Sequence, residues 1–259
     1  MPAEFSPKRW ERAYRRVVAT AFLRVPFYRD QWVAAGRALD EPEPTPSAAL
    51  AGQLHRLCPF ARPFDASQEP SLWIGDGRDL LDALTLVGAP RRTPVLEVRR
   101  AVLDRRALGT PWAGPRYGVL LAPDAKVVDE RCRRALNAVA LGLATDAGRA
   151  IVVGERPALD AILPELDGVR VSAVERVTAA QAGDVAYDPH LGYLGGRVPA
   201  CGRTHLLWRR FHARPAGRAL AVTALRRARP VLVDVVPDGS GTLTTALCPE
   251  HGTPTVSTH

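Results

Sequence analysis

DERCRRALNAVALGLATDAGRAIVVGERPALDAILPELDGVRVSAV, residues 129–174, decides the fold. Its apolar spacing predicts a helix over 129–143, a strand over 150–153, a helix over 157–166 and a strand over 169–174. Upstream, the same alternation predicts a helix over 80–87 and strands over 95–98 and 117–122. Strands that alternate with helical windows build βαβ units around a parallel sheet. Residues 71–183 are therefore expected to form an α/β core.

On either side the pattern changes. Past Gly183 the helical windows stop, and 204–213, 219–225, 230–236 and 241–247 read as strands joined by turns. Residues 184–259 are thus expected to be a β-rich segment. Toward the N-terminus, Trp10, Tyr14, Val17, Val18, Ala21 and Phe22 lie at helical spacing until Pro26 breaks the run. Phe27 to Trp32 opens a second short helix that Gly36 can end. Residues 40–46 read as a proline-rich acidic linker, 47–57 as a short helix and 59–70 as a loop. Residues 1–70 form the expected helical N-terminal segment.

The composition, 46% hydrophobic and 24% charged over 259 residues, excludes a largely disordered chain. No stretch approaches the roughly 18 unbroken apolar residues of a membrane span. The N-terminus lacks the apolar core of a signal peptide, so a cytoplasmic protein without membrane partners is expected. Net charge is +8, and lysine occurs only at Lys8 and Lys126. Arginine for lysine, with abundant alanine, fits a GC-rich genome such as an actinobacterium's. Arginine pairs such as Arg15-Arg16, Arg133-Arg134 and Arg226-Arg227 are scattered, with no aromatic-interleaved basic stripe. That argues against nucleic acid and for a solvated basic surface.

Four cysteines in a cytosolic chain do not make a disulfide framework. Cys58 and Cys132 stand alone, and Cys132 falls inside an amphipathic helix as a core residue. The other two each have a histidine at short range. They read Cys201-Gly202-Arg203-Thr204-His205 and Cys248-Pro249-Glu250-His251-Gly252, a C-x3-H and a C-x2-H pair 42 residues apart. Paired knuckles of this kind supply the four sulfur and nitrogen ligands that tetrahedral zinc prefers. Gly202 and Gly252 permit the tight turns. Each knuckle abuts a predicted strand, so strand pairing can bring the halves together. A closed Cys2His2 set leaves no position for water, so the expected ion is structural Zn2+. His190 and His212 are possible substitutes, while His55 and His259 read as surface residues.

A resemblance rests on residues at both ends of the chain. Val25-Pro26-Phe27-Tyr28-Arg29, followed by Trp32 and Gly36, resembles the opening of phenylacetate-CoA ligase-like proteins of the adenylate-forming acyl-CoA ligase superfamily. The later part resembles that family at Tyr187, Cys201, His205, Phe211, Thr223-Ala224-Leu225, Pro230, Asp238, Cys248 and His251. The resemblance implies a body like part of the ligases' N-terminal domain. It also implies substrate contacts at Tyr187 and at Asp238 (the ribose-binding aspartate), and zinc on the Cys/His positions. The departures matter as much. No Ser/Thr/Gly-rich phosphate loop precedes the α/β body. Leu191 stands where the family's magnesium-side glutamate follows Tyr187, and Val233 and Asp234 replace its arginine and tyrosine. The chain ends just past the second knuckle, before the mobile domain that carries the family's lysine. Adenylation needs metal, lysine and phosphate loop together, so ATP-dependent ligation is not expected.

The nucleotide motif is replaced by Asp188-Pro189-His190-Leu191-Gly192-Tyr193-Leu194-Gly195-Gly196. There His190 beside Asp188 can serve as a general base, with Tyr193 as a hydrogen-bond donor. The bland alternative is a surface loop whose glycines make turns. Trp73 to Asp79 reads as a Gly/Asp helix cap that could hold an anion. The main expectation is a repurposed ligase-like protein of bacterial specialised metabolism. It would bind an acyl or aromatic (thio)ester or its acyl carrier protein, and any catalysis would be ATP-independent. The alternatives are a non-catalytic partner subunit of a biosynthetic enzyme, and a zinc-containing nucleic-acid binder.

Overall fold

The structure, a computed structural model, describes residues 4–37, 42–59, 77–101, 116–126, 130–179, 181–227 and 229–258. Residues 40–41 of the acidic linker, 60–70 of the loop, 73–76 of the Gly/Asp cap, the Cys132 side chain and His259 lie outside the described residues.

Helix α1 (Pro7–Arg24) begins on a proline, whose lack of an N–H costs nothing in a first turn. It buries Tyr14, Val18 and Ala21 along one face. Pro26 ends it and opens α2 (Pro26–Ala34), which buries Tyr28 and Trp32. Strand β1 (Thr45–Pro46) follows. The helix expected over 47–57 is instead two short 3-10 turns, Ser47–Leu50 and Leu54–Leu57, because Ala51 between them is extended at φ −56°, ψ 127°.

The α/β body then runs α3 (Gly77–Leu86), β2 (Val95–Ala101), β3 (Tyr117–Lys126), α4 (Glu130–Ala147), β4 (Arg149–Gly154), α5 (Arg156–Ile162) and β5 (Arg170–Thr178). The stretch 129–174 is thus helix, strand, helix, strand, as its spacing predicts. In β4 every residue from Ala150 to Gly154 is buried, so it reads as an unbroken apolar run rather than an alternation. The remaining strands are β6 (Val185–Asp188), β7 (Gly192–Val198), β8 (Arg203–Leu206), β9 (Phe211–Ala216), β10 (Ala219–Ala224), β11 (Val235–Val236), β12 (Leu243–Leu247) and β13 (Pro254–Thr258).

Two sheets form among the described residues. The larger has nine strands in the order β12-β13-β8-β7-β6-β5-β4-β2-β3. It is parallel from β3 to β6 and antiparallel from β6 to β12. It therefore runs without a break across residue 183, where the sequence pattern changes. The smaller has the order β1-β11-β10-β9.

Two expected strands are corrected. The strand expected over 204–213 divides into β8 and β9, which belong to different sheets. A turn separates them, in which Phe211 and Arg210 donate backbone N–H to the Leu207 carbonyl at 2.9 and 2.7 Å. The strand expected over 230–236 shrinks to Val235–Val236, because Asp234 is left-handed at φ 48° and Val231 bonds to Leu57 instead of a ladder partner.

One apolar cluster joins α1, α2 and α3 to both sheets through residues such as Trp32, Leu84, Ile151, Leu194 and Val222. A second packs Ala140 of α4 and Leu159 of α5 on the other face of the parallel strands, against Leu96, Val98 and Val152. Buried polar contacts tie α1 to the smaller sheet. Asp234 accepts from the Tyr14 hydroxyl at 2.8 Å, from Thr223 at 3.0 Å and from the Arg214 guanidinium at 2.8 Å. Helix α3 lies on β7 at Gly196, where a Cβ would stand 2.8 Å from the Ala83 carbonyl oxygen.

Candidate metal centre

The two Cys/His pairs belong to two hairpins, with Cys201, Cys248 and His251 in the turns and His205 on β8. Cys201 lies between β7 and β8, and Cys248 and His251 lie between β12 and β13. In the first turn Gly202 is left-handed (φ +64°) and donates to the Val198 carbonyl at 2.8 Å. In the second Gly252 is left-handed (φ +63°) and donates to the Cys248 carbonyl at 2.8 Å. Neither φ suits a residue with a Cβ. Strand β8 pairs with β13, placing Thr255 opposite His205, so the hairpins are neighbours in one sheet.

That pairing brings the four ligand atoms of Cys201, His205, Cys248 and His251 within 4.8 Å of one another. Cys201 Sγ is 3.1 Å from His205 Nε2, and Cys248 Sγ is 3.4 Å from His251 Nδ1. The imidazoles meet edge to face at 5.0 Å. Thr253 Oγ1 engages His205 Nδ1 at 2.8 Å, which turns Nε2 toward the thiols. His205 and Cys248 are buried, Cys201 is half-buried and His251 is exposed.

The electrostatics suit a cation. Burial raises the Cys248 thiol pKa, but hydrogen bonds from the His251 side chain, from the backbone of His251 and Glu250, and from Cys201 bring it down to about 7. Burial lowers the His205 pKa, helped by His251 and Arg203. Thiolate sulfur and neutral imidazole are the forms that ligate metal, so the cluster can hold a metal ion. Thr253 carried no signal in the sequence, since only the fold brings a threonine from β13's approach to a histidine on β8.

The other expected site residues fall into separate groups. Asp188 and His190 sit together with Ser47, all buried. Asp188 Oδ1 accepts the Ser47 hydroxyl at 3.0 Å and the backbone N–H of His190 and Leu191 at 2.9 Å each. His190 Nδ1 lies 2.9 Å from Ser47 Oγ. With the Ser47 proton given to Asp188, His190 Nδ1–H donates to Ser47, which leaves Nε2 the basic nitrogen. Burial lowers the His190 pKa against the pull of Asp188 and of the exposed Asp238. Tyr193 does not join this group, because its hydroxyl donates to Glu97 Oε1 at 2.6 Å. Tyr187 lies under the Arg176 guanidinium at 4.7 Å. His212 is no metal ligand, since it stacks on Tyr14 at 4.2 Å and faces Glu11 at 3.3 Å. A cleft with room for no more than about one water is lined by Ala186, Leu194, Leu206, Val222 and their neighbours, and His190 is not among its lining residues.

No protein-family model matches the chain, and no curated protein matches it. Solved structures of 2-hydroxyisobutyryl-CoA ligase are similar to it. One, an open conformation with 2-HIB-AMP and CoA, is 14% identical with a TM-score of 0.47, and the match covers 96% of this chain and 68% of that one. Another, the postadenylation state with R3-HIB-AMP, is 13% identical with a TM-score of 0.46, covering 96% and 65%. The chain spans about two thirds of those ligases' length. Their name carries a 2-hydroxyisobutyryl group, not phenylacetyl. Among the described residues, no helix is long and apolar enough to cross a membrane.

Proposed function

We propose that Cys201, His205, Cys248 and His251 hold one structural Zn2+ in a CoA-ligase-like binding protein of biosynthesis. Its ligand is an acyl or aromatic (thio)ester, or the acyl carrier protein that bears it, and it has no ATP-dependent ligase activity. The observation that carries this reading is the convergence of four sulfur and nitrogen ligands from two hairpins. Such a closed set suits a structural ion, which supplies folding energy on the order of 10 kcal/mol in small metal-folded peptides.

The absence of adenylation is supported at Leu191. This residue stands at the resembled glutamate position, is fully buried, and has its N–H capped by Asp188 and its carbonyl held by Arg227 at 2.7 Å. No carboxylate reaches magnesium from there. The arginine-rich surface suits an acidic carrier. The partner-subunit reading draws on a second observation: Ser47 is bonded to both Asp188 and His190, and Tyr193 is committed to Glu97.

The test is a calorimetric titration with an aromatic acyl thioester, beside a pyrophosphate-release assay with ATP, magnesium and the free acid. Thioester binding with no pyrophosphate is expected. Sustained pyrophosphate release would overturn the reading.

A further inference from the structure

Helix α1 packs its buried side on the smaller sheet, where Trp10 Nε1 donates to the Phe211 carbonyl at 2.8 Å and Tyr14 to Asp234 at 2.8 Å. On its other side stand Lys8, Arg9, Arg12, Arg15 and Arg16, all exposed. At 3.6 residues per turn and 1.5 Å per residue, the five share about a third of the circumference and span about 12 Å. Glu11, the one acid of Pro7–Arg24, stands at the edge of this face, where it takes Arg15 at 2.9 Å and faces His212 at 3.3 Å. Lys8, Arg9, Arg12 and Arg16 make no ion pair among the described residues. A further cation adjoins the start of the row. Phe5, just before the helix, meets Trp208 at 5.3 Å, and Trp208 carries the exposed Arg209 guanidinium over its ring at 5.0 Å.

This pattern works against the helix that carries it. Lys8 and Arg12, like Arg12 and Arg16, are equal charges four residues apart, which destabilises a helix. All five cations also lie in its first ten residues, toward the end whose free N–H groups already carry positive partial charge. No acid in the first turn offsets them, and Ser6 gives no side-chain cap. Helix stability therefore does not account for the row, whereas a polyanion laid along it relieves both repulsions.

We infer that this face of α1 docks on the phosphate backbone of duplex DNA without reading its sequence. Duplex DNA carries about one negative charge per 1.7 Å of axis, a density of the same order as five cations in about 12 Å. Its major groove admits a helix between two rows of phosphates, while that of duplex RNA is too narrow. A bilayer is a poorer match, because a basic helix binds one by sinking its apolar side, and that side of α1 is packed on the sheet. A protein partner is a poorer match as well. Protein interfaces are anchored by apolar and aromatic residues at a charge-poor centre, and the only large apolar residue exposed on this helix is Leu23, beyond the row. Single strands stack bases on open aromatic rings, but Phe5, Trp10 and Trp208 pack edge to face on one another and His212 lies 4.3 Å from Trp10. Scattered arginine pairs told against nucleic acid in the sequence, and helix formation aligns one stretch of them into a row. The inference goes beyond the ester-binding reading and depends neither on it nor on the metal.

The test is fluorescence anisotropy of a labelled duplex of arbitrary sequence with the full chain, from about 50 to 200 mM NaCl. Affinity is expected to fall with salt at a log–log slope of about −4 to −5, about −0.9 for each phosphate neutralised. Arg12→Gln combined with Arg16→Gln should weaken binding and make the slope shallower by about two. Arg131→Gln combined with Arg134→Gln removes the same charge from exposed positions of α4 and should leave the slope in place. The Tm of the α1 variant should not fall, because like-charge repulsion is removed. Should it fold poorly, each single variant, expected to change the slope by about one, decides instead. Competitors are a duplex of another sequence, expected to compete equally, and duplex RNA, phosphatidylserine vesicles and polyglutamate, expected to compete less. No salt-dependent duplex binding, or equal slopes in the α1 and α4 variants, overturns the site. Tighter binding to RNA, vesicles or polyglutamate overturns its assignment to duplex DNA, and strong preference for one duplex overturns the claim that sequence is not read.

Discussion

His205 presents Nε2 to Cys201 because Thr253 occupies its other ring nitrogen. Second contacts of this kind typically contribute 10–100-fold to metal affinity. Thr253→Val should therefore weaken metal binding by about that factor in a competition with a chromophoric chelator, and an unchanged affinity would show that Thr253 does not orient the ligand. A second residue gives the chain a pH dependence. His212 is buried between Tyr14 and Trp10, and desolvation lowers its pKa to about 4 from 6.5, against the pull of Glu11 and Asp234. The unfolded chain takes up this proton first, so the stability is full above about pH 6.5 and is lost as the pH falls toward 4. The loss attributable to His212 is about 3 kcal/mol. Urea unfolding at the two pH values should show a pH dependence shallower by that amount in His212→Phe. An identical slope in the variant would contradict the assignment. At this scale the sequence was legible where spacing encodes chemistry. The C-x3-H and C-x2-H pairs with their glycines mark, before any fold is known, the four residues that converge into a cluster able to hold a metal ion. Glu97 and Arg176 left a fainter mark, as charges inside apolar strands, and Ser47 left none because its partners lie 141 and 143 residues away.

Among the elements, β4 was readable because a parallel strand buried on both faces is written as an apolar run between helical windows. Strands β6 and β7 were not. Asp188 to Gly196 looks like a turn-rich loop, yet most of it is strand, because glycine here serves close approach rather than flexibility. At Gly195 a Cβ would overlap the carbonyl oxygen of His205 on the neighbouring strand. Gly195→Ala should push β8 off β7, lower stability by about 2 kcal/mol, as overpacking does, and disturb the ligand on β8. The denaturation midpoint and metal content of this variant check both effects, and a variant that keeps both would contradict the close packing. The split of 204–213 into β8 and β9 was illegible for another reason. Alternating bulky and basic residues satisfy a strand pattern locally, while the turn at Leu207–Arg210 is set by packing between two sheets.

At the scale of the whole molecule, the nine-stranded sheet is a parallel half continued by an antiparallel half. The Cys/His cluster lies between the outer hairpins of the antiparallel half, β7–β8 and β12–β13, whose strands β8 and β13 pair at Thr255 with His205 and Val256 with Thr204. An ion held there would close a loop of about 42 residues between His205 and Cys248, which restricts the unfolded chain. Chelation of the metal should therefore lower the Tm by several degrees, with the hydrogen-exchange protection of β12 and β13 falling before that of β4 and β5. Uniform loss of protection would mean that the ion does not act locally. The most direct measurement is elemental analysis of the purified full chain beside Cys201→Ser and Cys248→Ser. The account predicts about one zinc per chain in the parent and almost none in either variant, with less soluble protein. A parent without stoichiometric metal, or variants that retain it, would contradict the account at its centre.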